Sequence, residues 1–199
     1  MMKKLIDVLL LFLQYALAFL KRVNTKLSKK GDVMMSSTCK RIMVTGLVGG
    51  FIGGAIKMGW EALVPPRTPE REEEPPPMTL LNQLGLPEKV KHATYNYNQN
   101  EIPIAVMGIH YGFSIAHAFA YAILAERYSK VTVLRGSLFG IAINIAFHEY
   151  LLPRVGLTPE IDELPKEERI SELLGHIVWM NTIDYVRSCL LYTSPSPRD

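Results

Sequence analysis

The fold is decided by residues 42–64, which read IMVTGLVGGFIGGAIKMGWEALV. A helix needs roughly 20 mostly apolar residues to cross about 30 Å of hydrocarbon. This stretch is long enough, and Lys57 and Glu61 are its only charged residues. Backbone amide and carbonyl groups inside a bilayer find no water, so they pair within a helix. Residues 42–64 are therefore predicted to form a transmembrane helix, called span one.

Three further apolar blocks are predicted to form spans two, three and four, over residues 104–125, 131–152 and 170–187. The fourth block is the shortest and the most polar. The outer loops are residues 65–103, which are rich in proline with a short surface helix predicted at 78–86, and residues 153–169. The predicted fold class is an all-α membrane protein with four transmembrane helices plus an N-terminal amphipathic or short apolar helix.

The composition agrees with a membrane protein and excludes several other classes. Of 199 residues, 48% are hydrophobic, which excludes a disordered chain. Two cysteines are too few for a disulfide scaffold. The formal charge of +3 is too small to indicate a nucleic-acid partner. The expected partner is the lipid bilayer, together with either a second copy of the chain or another membrane protein.

The two ends of the chain are interpreted separately from the predicted four-span membrane domain at residues 42–187. Residues 1–41 comprise an apolar helix, at 5–20, and a basic cytoplasmic linker. The apolar helix fits an interfacial amphipathic helix, an extra span or a signal peptide. Residues 188–199 resemble the translated read-through of a sequencing adapter and are interpreted as a non-native tail.

The orientation follows from the distribution of lysine and arginine, which are concentrated in cytoplasmic loops. Residues 21–41 carry seven basic residues and one acidic residue, and the link between spans two and three is also basic. The loops at 65–103 and 153–169 contain more acidic than basic residues. Both ends of the four-span core are therefore predicted to be cytoplasmic.

Span one contains glycines at four-residue spacing, which let two helix backbones approach closely. These predicted packing residues are Gly46, Gly50 and Gly54, with Gly49 and Gly53 offset beside them. The neighbouring helix could belong to the same chain or to a second molecule. The spacing alone leaves both open.

Ionisable residues inside a bilayer are costly, so each is a candidate functional residue. At 1.5 Å per residue, seven of them fall within roughly 10 Å of the predicted outer ends of the spans. Histidine titrates near neutral pH, so this layer could sense or conduct external protons. The alternative is that these side chains only bond the helices together. The candidates are Lys57, Glu61, His110, His148, Glu149, Glu172 and His176.

Enzymatic motifs are incomplete in this sequence. His148-Glu149 begins like a zinc-protease motif, but Leu152 occupies the place of the second histidine. Ser114 lies in a partial nucleophile elbow without its second glycine. His110, His148, Glu172 and His176 are residue types that bind Zn²⁺, but they lack the close sequence spacing of a zinc site, so an intramembrane hydrolase or metalloenzyme is kept only as a third alternative. We therefore predict no catalytic residue, metal or cofactor, and a protein that is not an enzyme.

Several motifs resemble the YagU family of bacterial inner-membrane proteins, whose biochemical activity is unknown. The motifs are Ile56-Lys57-x-Gly59, Val64-Pro65-Pro66-Arg67-Thr68-Pro69, Val155-Gly156-Leu157-Thr158-Pro159 and Ser171-Glu172-x-x-Gly175-His176-x-Val178-Trp179. The resemblance implies a multi-pass inner-membrane protein associated with acid resistance. It supplies no catalytic residue, substrate or cofactor, and residues 1–40 and 70–77 depart from it.

Two functional hypotheses follow. The first is a proton- or pH-responsive membrane protein that contributes to acid resistance through the outer histidine and glutamate residues. The second is a structural or assembly protein that binds another membrane protein through the glycine-rich face of span one.

Overall fold

The computed structural model of the protein describes residues 32–67, 71 and 74–193. Most of these residues are helical, which confirms the predicted all-α class. The predicted helix at residues 5–20 and the last six residues of the chain lie outside the described part. The adapter-derived origin of residues 188–199 stays a prediction.

The first long helical segment contains span one. Helix α1 (Asp32–Val44) continues through a π-helical turn (Thr45–Gly49) into α2 (Gly50–Leu63). The helix ends there because Pro65 and Pro66 lack the N–H group that another turn would need. Residues 38–63 are long and apolar enough to cross a membrane.

The loop between the first two spans contains regular structure. Its elements are α3 (Pro76–Gln83), α4 (Glu88–Lys91), and the strands β1 (Thr94–Tyr97) and β2 (Asn100–Pro103). Helix α3 confirms the predicted surface helix, although it begins two residues earlier, with proline in its first turn. The sequence analysis did not predict the antiparallel hairpin. Its turn residues Asn98 and Gln99 both have positive φ, as two-residue hairpin turns favour.

Spans two and three are joined by a tight reversal. Helix α5 (Ile104–Arg127) is followed by a 3-10 segment (Ser129–Gly136), and Leu134, Arg135 and Gly136 at its end have positive φ. The α-helix of span three therefore begins at Ser137, six residues later than the predicted limit of the span. Its parts are α6 (Ser137–Asn144), a π-helical segment (Ile145–Leu151) and α7 (Leu152–Arg154).

The last helix, α8, lies at the centre of the bundle. It runs over Lys166–Thr193, after a 3-10 turn at Ile161–Glu163, and packs against α2, α6 and the segments beside them. The buried core consists of side chains from α5 and α8, namely Ala118, Tyr121, Trp179, Met180 and Ile183. Among the described helices, three segments are apolar and long enough to span a membrane, and α8 is not one of them.

The glycines of span one pack against two helices of the same chain. Gly46, Gly50 and Gly54 face α5, where a Cβ at position 50 would lie 2.7 Å from the Cα of Ile115. Gly49 and Gly53 face α8, and a Cβ at position 53 would lie 2.8 Å from Ile183. The two sets of glycines therefore contact two different helices, and helices of the same chain cover the glycine-rich face.

We predict that Gly50→Leu lowers the free energy of unfolding by about 3 kcal/mol, because overpacking forces the backbones of α2 and α5 apart. Thermal unfolding in detergent micelles measures this. Gly59→Leu on the same helix is the matched control, since no atom lies within 4 Å of a Cβ there. Equal stability of the two variants would contradict the tight contact.

Candidate functional site

Three positions in the bundle converge on one carboxylate. The Lys57 Nζ lies 2.8 Å from Glu172 Oε1, and Lys57 also contacts Glu61 one turn further along α2. The same Glu172 oxygen lies 3.3 Å from His148 Nε2 and 3.3 Å from His176 Nδ1. We call these five residues the outer cluster, after the side of the membrane that the sequence predicts for them. They come from α2, the π-helical segment of span three and α8.

Local geometry sets the position of each side chain in the outer cluster. Glu172 and His176 are four residues apart on α8, so they share one face. His148 lies in the π-helical segment, whose i→i+5 hydrogen bonds make its turns wider than those of an α-helix and so rotate its side chains relative to those of α6. Gly140, one element earlier, lets α6 approach α8 so closely that a Cβ there would lie 2.5 Å from the carbonyl oxygen of His176.

His176 is the most deeply enclosed member of the cluster, with an exposed fraction of 0%. Its Nδ1 bonds to the backbone oxygen of Glu172 at 2.9 Å. Its ring packs edge-on against His148 and Trp179. Within the part of the chain that the structure describes, its Nε2 has no hydrogen-bond partner. Because Nδ1 faces a carbonyl oxygen and carries the hydrogen of the neutral ring, Nε2 is the nitrogen to which a second proton would have to bind.

The outer cluster is enclosed on one side and accessible on the other. The side chains of Glu61 and His148 are 28% and 29% exposed, whereas that of Lys57 is 11% exposed. With neutral imidazoles the cluster carries one positive and two negative charges. Protonation of both imidazoles would make it net positive. A change in charge of this size at one contact point can alter helix packing.

A supporting frame that the sequence analysis missed holds α2 against the start of α8. The indole N–H of Trp60 donates to the Ser171 carbonyl at 3.0 Å, and the Ser171 hydroxyl donates to the Val64 carbonyl. Gly175 leaves room for the Trp60 ring. Ser171 and Gly175 both belong to the Ser-Glu-x-x-Gly-His motif, which was the signal available in the sequence.

Two of the predicted site residues lie outside the outer cluster. His110 Nε2 bonds to the backbone oxygen of Gly54 at 3.0 Å, so it links α5 to α2. Glu149 is exposed, on the side of span three away from the packed helices. Near His110, the Ser114 hydroxyl donates to the Gly50 carbonyl at 2.6 Å and accepts the Trp179 N–H at 2.7 Å.

A second polar group lies two turns further along α8. The Tyr121 hydroxyl donates to Asp184 Oδ1 at 2.8 Å, and Arg187 Nε donates to the same oxygen at 2.9 Å. Asp184 and Arg187 are both buried, and α5 supplies Tyr121 as the partner of Asp184.

Three members of the outer cluster are residue types that bind metal ions. His148, Glu172 and His176 offer ligand atoms that lie within 4.8 Å of one another, a spacing that would admit a metal ion. The Lys57 ammonium, however, contacts the Glu172 oxygen that a metal would need. Because this resident cation already supplies the positive charge, we interpret the arrangement as an ionic cluster.

Long apolar helices that enclose their own charged residues define a multi-pass helical membrane protein. The chain belongs to the family described as "Protein of unknown function (DUF1440)", whose profile matches residues 51–185. It is 28% identical over 167 residues to the inner membrane protein YagU of Escherichia coli (strain K12), covering 71% of this chain and 80% of that protein.

These comparisons confirm the resemblance to the YagU family and support an inner-membrane location. Neither description names an enzymatic activity, which is consistent with the prediction that the protein is not an enzyme. No solved structure matches the chain.

We predict that Glu172→Gln lowers the free energy of unfolding by about 3 kcal/mol, because it leaves Lys57 with only Glu61, the more exposed of its two carboxylate partners. Unfolding of purified protein in bicelles measures this, and the double variant Lys57→Met, Glu172→Gln should recover part of the loss. Glu149→Gln is the control, since it removes an exposed carboxylate. A Glu172→Gln variant as stable as this control would disprove a structural charge pair.

Proposed function

We propose that this protein is a pH-responsive inner-membrane protein that contributes to acid resistance, and that the outer cluster is its sensor. The observation that carries the proposal is the single Glu172 oxygen shared by Lys57, His148 and His176. Histidine is the side chain whose ordinary titration falls near neutral pH. External acid would therefore change the charge at the point where three segments of the bundle meet.

The proposed response is a separation of α2, α8 and the π-helical segment at their outer ends. When both imidazoles are protonated, His148 and His176 join Lys57 as cations around one carboxylate. Two like charges 4 Å apart repel by on the order of 4 kcal/mol at an effective dielectric constant near 20. Shifting a two-state equilibrium from 1% to 99% needs about 5.5 kcal/mol. To favour an open arrangement, the repulsions among the three cations must exceed their attractions to the Glu172 and Glu61 carboxylates by about that amount.

Other titratable groups surround the cluster and enter the proposal. Glu61, on α2, and Glu149, beside His148 in its own segment, add two carboxylates to its electrostatic surroundings. His117, on α5, packs against Trp179, which in turn packs against His176. The Glu168 carboxylate, one turn before Glu172, lies 3.2 Å from Arg71. We propose that His110 holds α5 against α2 through its hydrogen bond to the Gly54 carbonyl.

Sensing is favoured over proton conduction by the packing below the cluster. His176 and Asp184 are eight residues apart on α8, a distance of about 12 Å. Between them lie Trp179, Met180 and Ile183, each at most 1% exposed. Such a layer offers few polar groups for a proton relay. We therefore propose a sensor that changes shape.

The proposed topology makes α8 a fourth crossing, so that both ends of the core at residues 42–187 are cytoplasmic. Its 28 residues extend about 42 Å, enough to cross a bilayer. Its polar residues His176, Asp184 and Arg187 are buried among the other helices, so lipid does not meet them. Basic residues at the opposite end from the cluster, such as Arg41 and Arg127, support an outward-facing cluster.

The pH response is predicted to appear in the fluorescence of Trp60, which packs against Gly175 beside the cluster. In a Trp179→Phe background Trp60 is the only tryptophan, since the chain has two. Acidification from pH 7.5 to 5 in nanodiscs should shift its emission to longer wavelength as water enters. The same background with His148→Gln and His176→Gln should show no shift.

His92→Gln is the matched control for that experiment, because His92 is an exposed loop histidine paired with Glu88. It should keep both the shift and acid survival, whereas the double glutamine variant should lose most of the survival benefit at equal membrane abundance. Full acid survival in the double variant would refute the proposed function. A proton flux in proteoliposomes that the double variant abolishes would favour conduction over sensing.

The topology is tested with reporters fused after residue 193. A cytoplasmic C-terminus predicts a fluorescent protein that is bright and an alkaline phosphatase that is inactive. Matching fusions within the loop at 153–169 should give the opposite result. An active phosphatase after residue 193 would mean that α8 does not complete a fourth inward crossing.

A further inference from the structure

A cavity of about 390 Å³ opens along α8, lined by residues that do not belong to the outer cluster. Four of its lining residues, Val178, Asn181, Thr182 and Tyr185, follow the three- and four-residue spacing of one face of the helix. The fifth is Arg135, from the reversal between α5 and α6. The cavity therefore lies where the start of span three meets α8.

The polar groups of this cavity are available as hydrogen-bond donors. Arg135 is exposed, and no carboxylate within the described ranges pairs with it, whereas Arg41 and Arg187 at the same end bond to Glu126 and Asp184. The Ser137 hydroxyl lies 2.7 Å from the Leu134 carbonyl oxygen and 3.0 Å from the Asn181 side-chain oxygen, and it shares its one hydrogen between them. Neither contact uses the amide N–H groups of Asn181, which can donate to a ligand.

An arginine, an amide and a phenol around one cavity suit an anion. A guanidinium binds phosphate oxygens through two parallel N–H groups, with a geometry that a lysine cannot reproduce. The Tyr185 side chain is 59% exposed beside it, and its hydroxyl can donate as well. Arg127 and Lys130 add positive charge to the same end of the bundle.

Apolar surface adjoins these donors. Val133, Leu134 and Leu138 are 46%, 68% and 49% exposed, and they flank Arg135 in the sequence and in the reversal. Val178 forms the apolar wall of the cavity itself. Donors for an anion beside surface for a hydrocarbon chain match a phospholipid better than a soluble anion. Basic pockets between helices on the cytoplasmic side of a membrane are known to hold such headgroups.

We propose that this cavity binds the phosphate of an anionic phospholipid from the cytoplasmic leaflet, with Arg135 as the main contact. Asn181 and Tyr185 donate to the headgroup, and the acyl chains lie along Val178 and Leu138. The site is separate from the outer cluster and does not depend on the proposed pH response.

Native mass spectrometry tests the proposal on the full chain, released from nanodiscs containing equal amounts of phosphatidylglycerol and phosphatidylcholine. The wild type is expected to retain phosphatidylglycerol in preference. Arg135→Asn should lower that retention about fivefold, as expected for the loss of one basic residue near the membrane surface. Asparagine is chosen because it tolerates the left-handed backbone that Arg135 adopts.

Arg127→Gln is the matched control, since it removes a charge at the same end without lining the cavity. Asn181→Leu keeps the charge and should weaken retention as well, so the proposal can be tested even if Arg135→Asn does not fold. Equal losses in Arg135→Asn and Arg127→Gln, or equal retention of the two lipids by the wild type, would overturn the site. Displacement of the lipid by millimolar inorganic phosphate would identify a soluble anion as the ligand instead.

Discussion

The structure depends on a buried carboxylate, that of Glu172, which holds a lysine and two histidines from three segments of the bundle. A charged group inside a membrane protein is tolerated only when other protein groups surround it. Glu172 and Lys57 meet that condition for each other, so α2 cannot leave α8 without exposing both charges to lipid. Helix association here rests on an ionic contact as well as on the close approach that the glycines allow.

Helix α8 is central for the same physical reason. Its polar residues would make it a poor lipid-facing helix, yet they become acceptable once other helices cover them. His176 and Asp184 are each enclosed and bonded, and the apolar core at Met180 and Ile183 separates them. The result is a bundle with two ionic layers and a mainly apolar layer between them. Protonation of the outer cluster would therefore alter the helix packing around His176 without directly changing the charge at Asp184.

Much of the fold could be predicted from the sequence. Apolar length located the end of span one and both ends of span two to within two residues of the helices, because the thickness of a bilayer imposes a length on any crossing helix. The helix that contains span one begins ten residues before the predicted start, at Asp32. Glycine spacing indicated a close helix contact, and residues such as Lys57 and His176 were selected because charge in a bilayer is costly. The hairpin at 94–103 was missed, since its strands are short and largely exposed.

The sequence by itself determined the helical class and most members of the candidate site, because length, charge and glycine spacing are local properties of the chain. Only the tertiary structure decided which of those members meet. His148 and Glu172 are 24 positions apart, and neither spacing nor polarity reveals that a π-helical segment brings them together, while His110 and Glu149 lie elsewhere. Contacts between distant residues depend on how helices are rotated about their axes, and that rotation is set by the packing of the whole bundle.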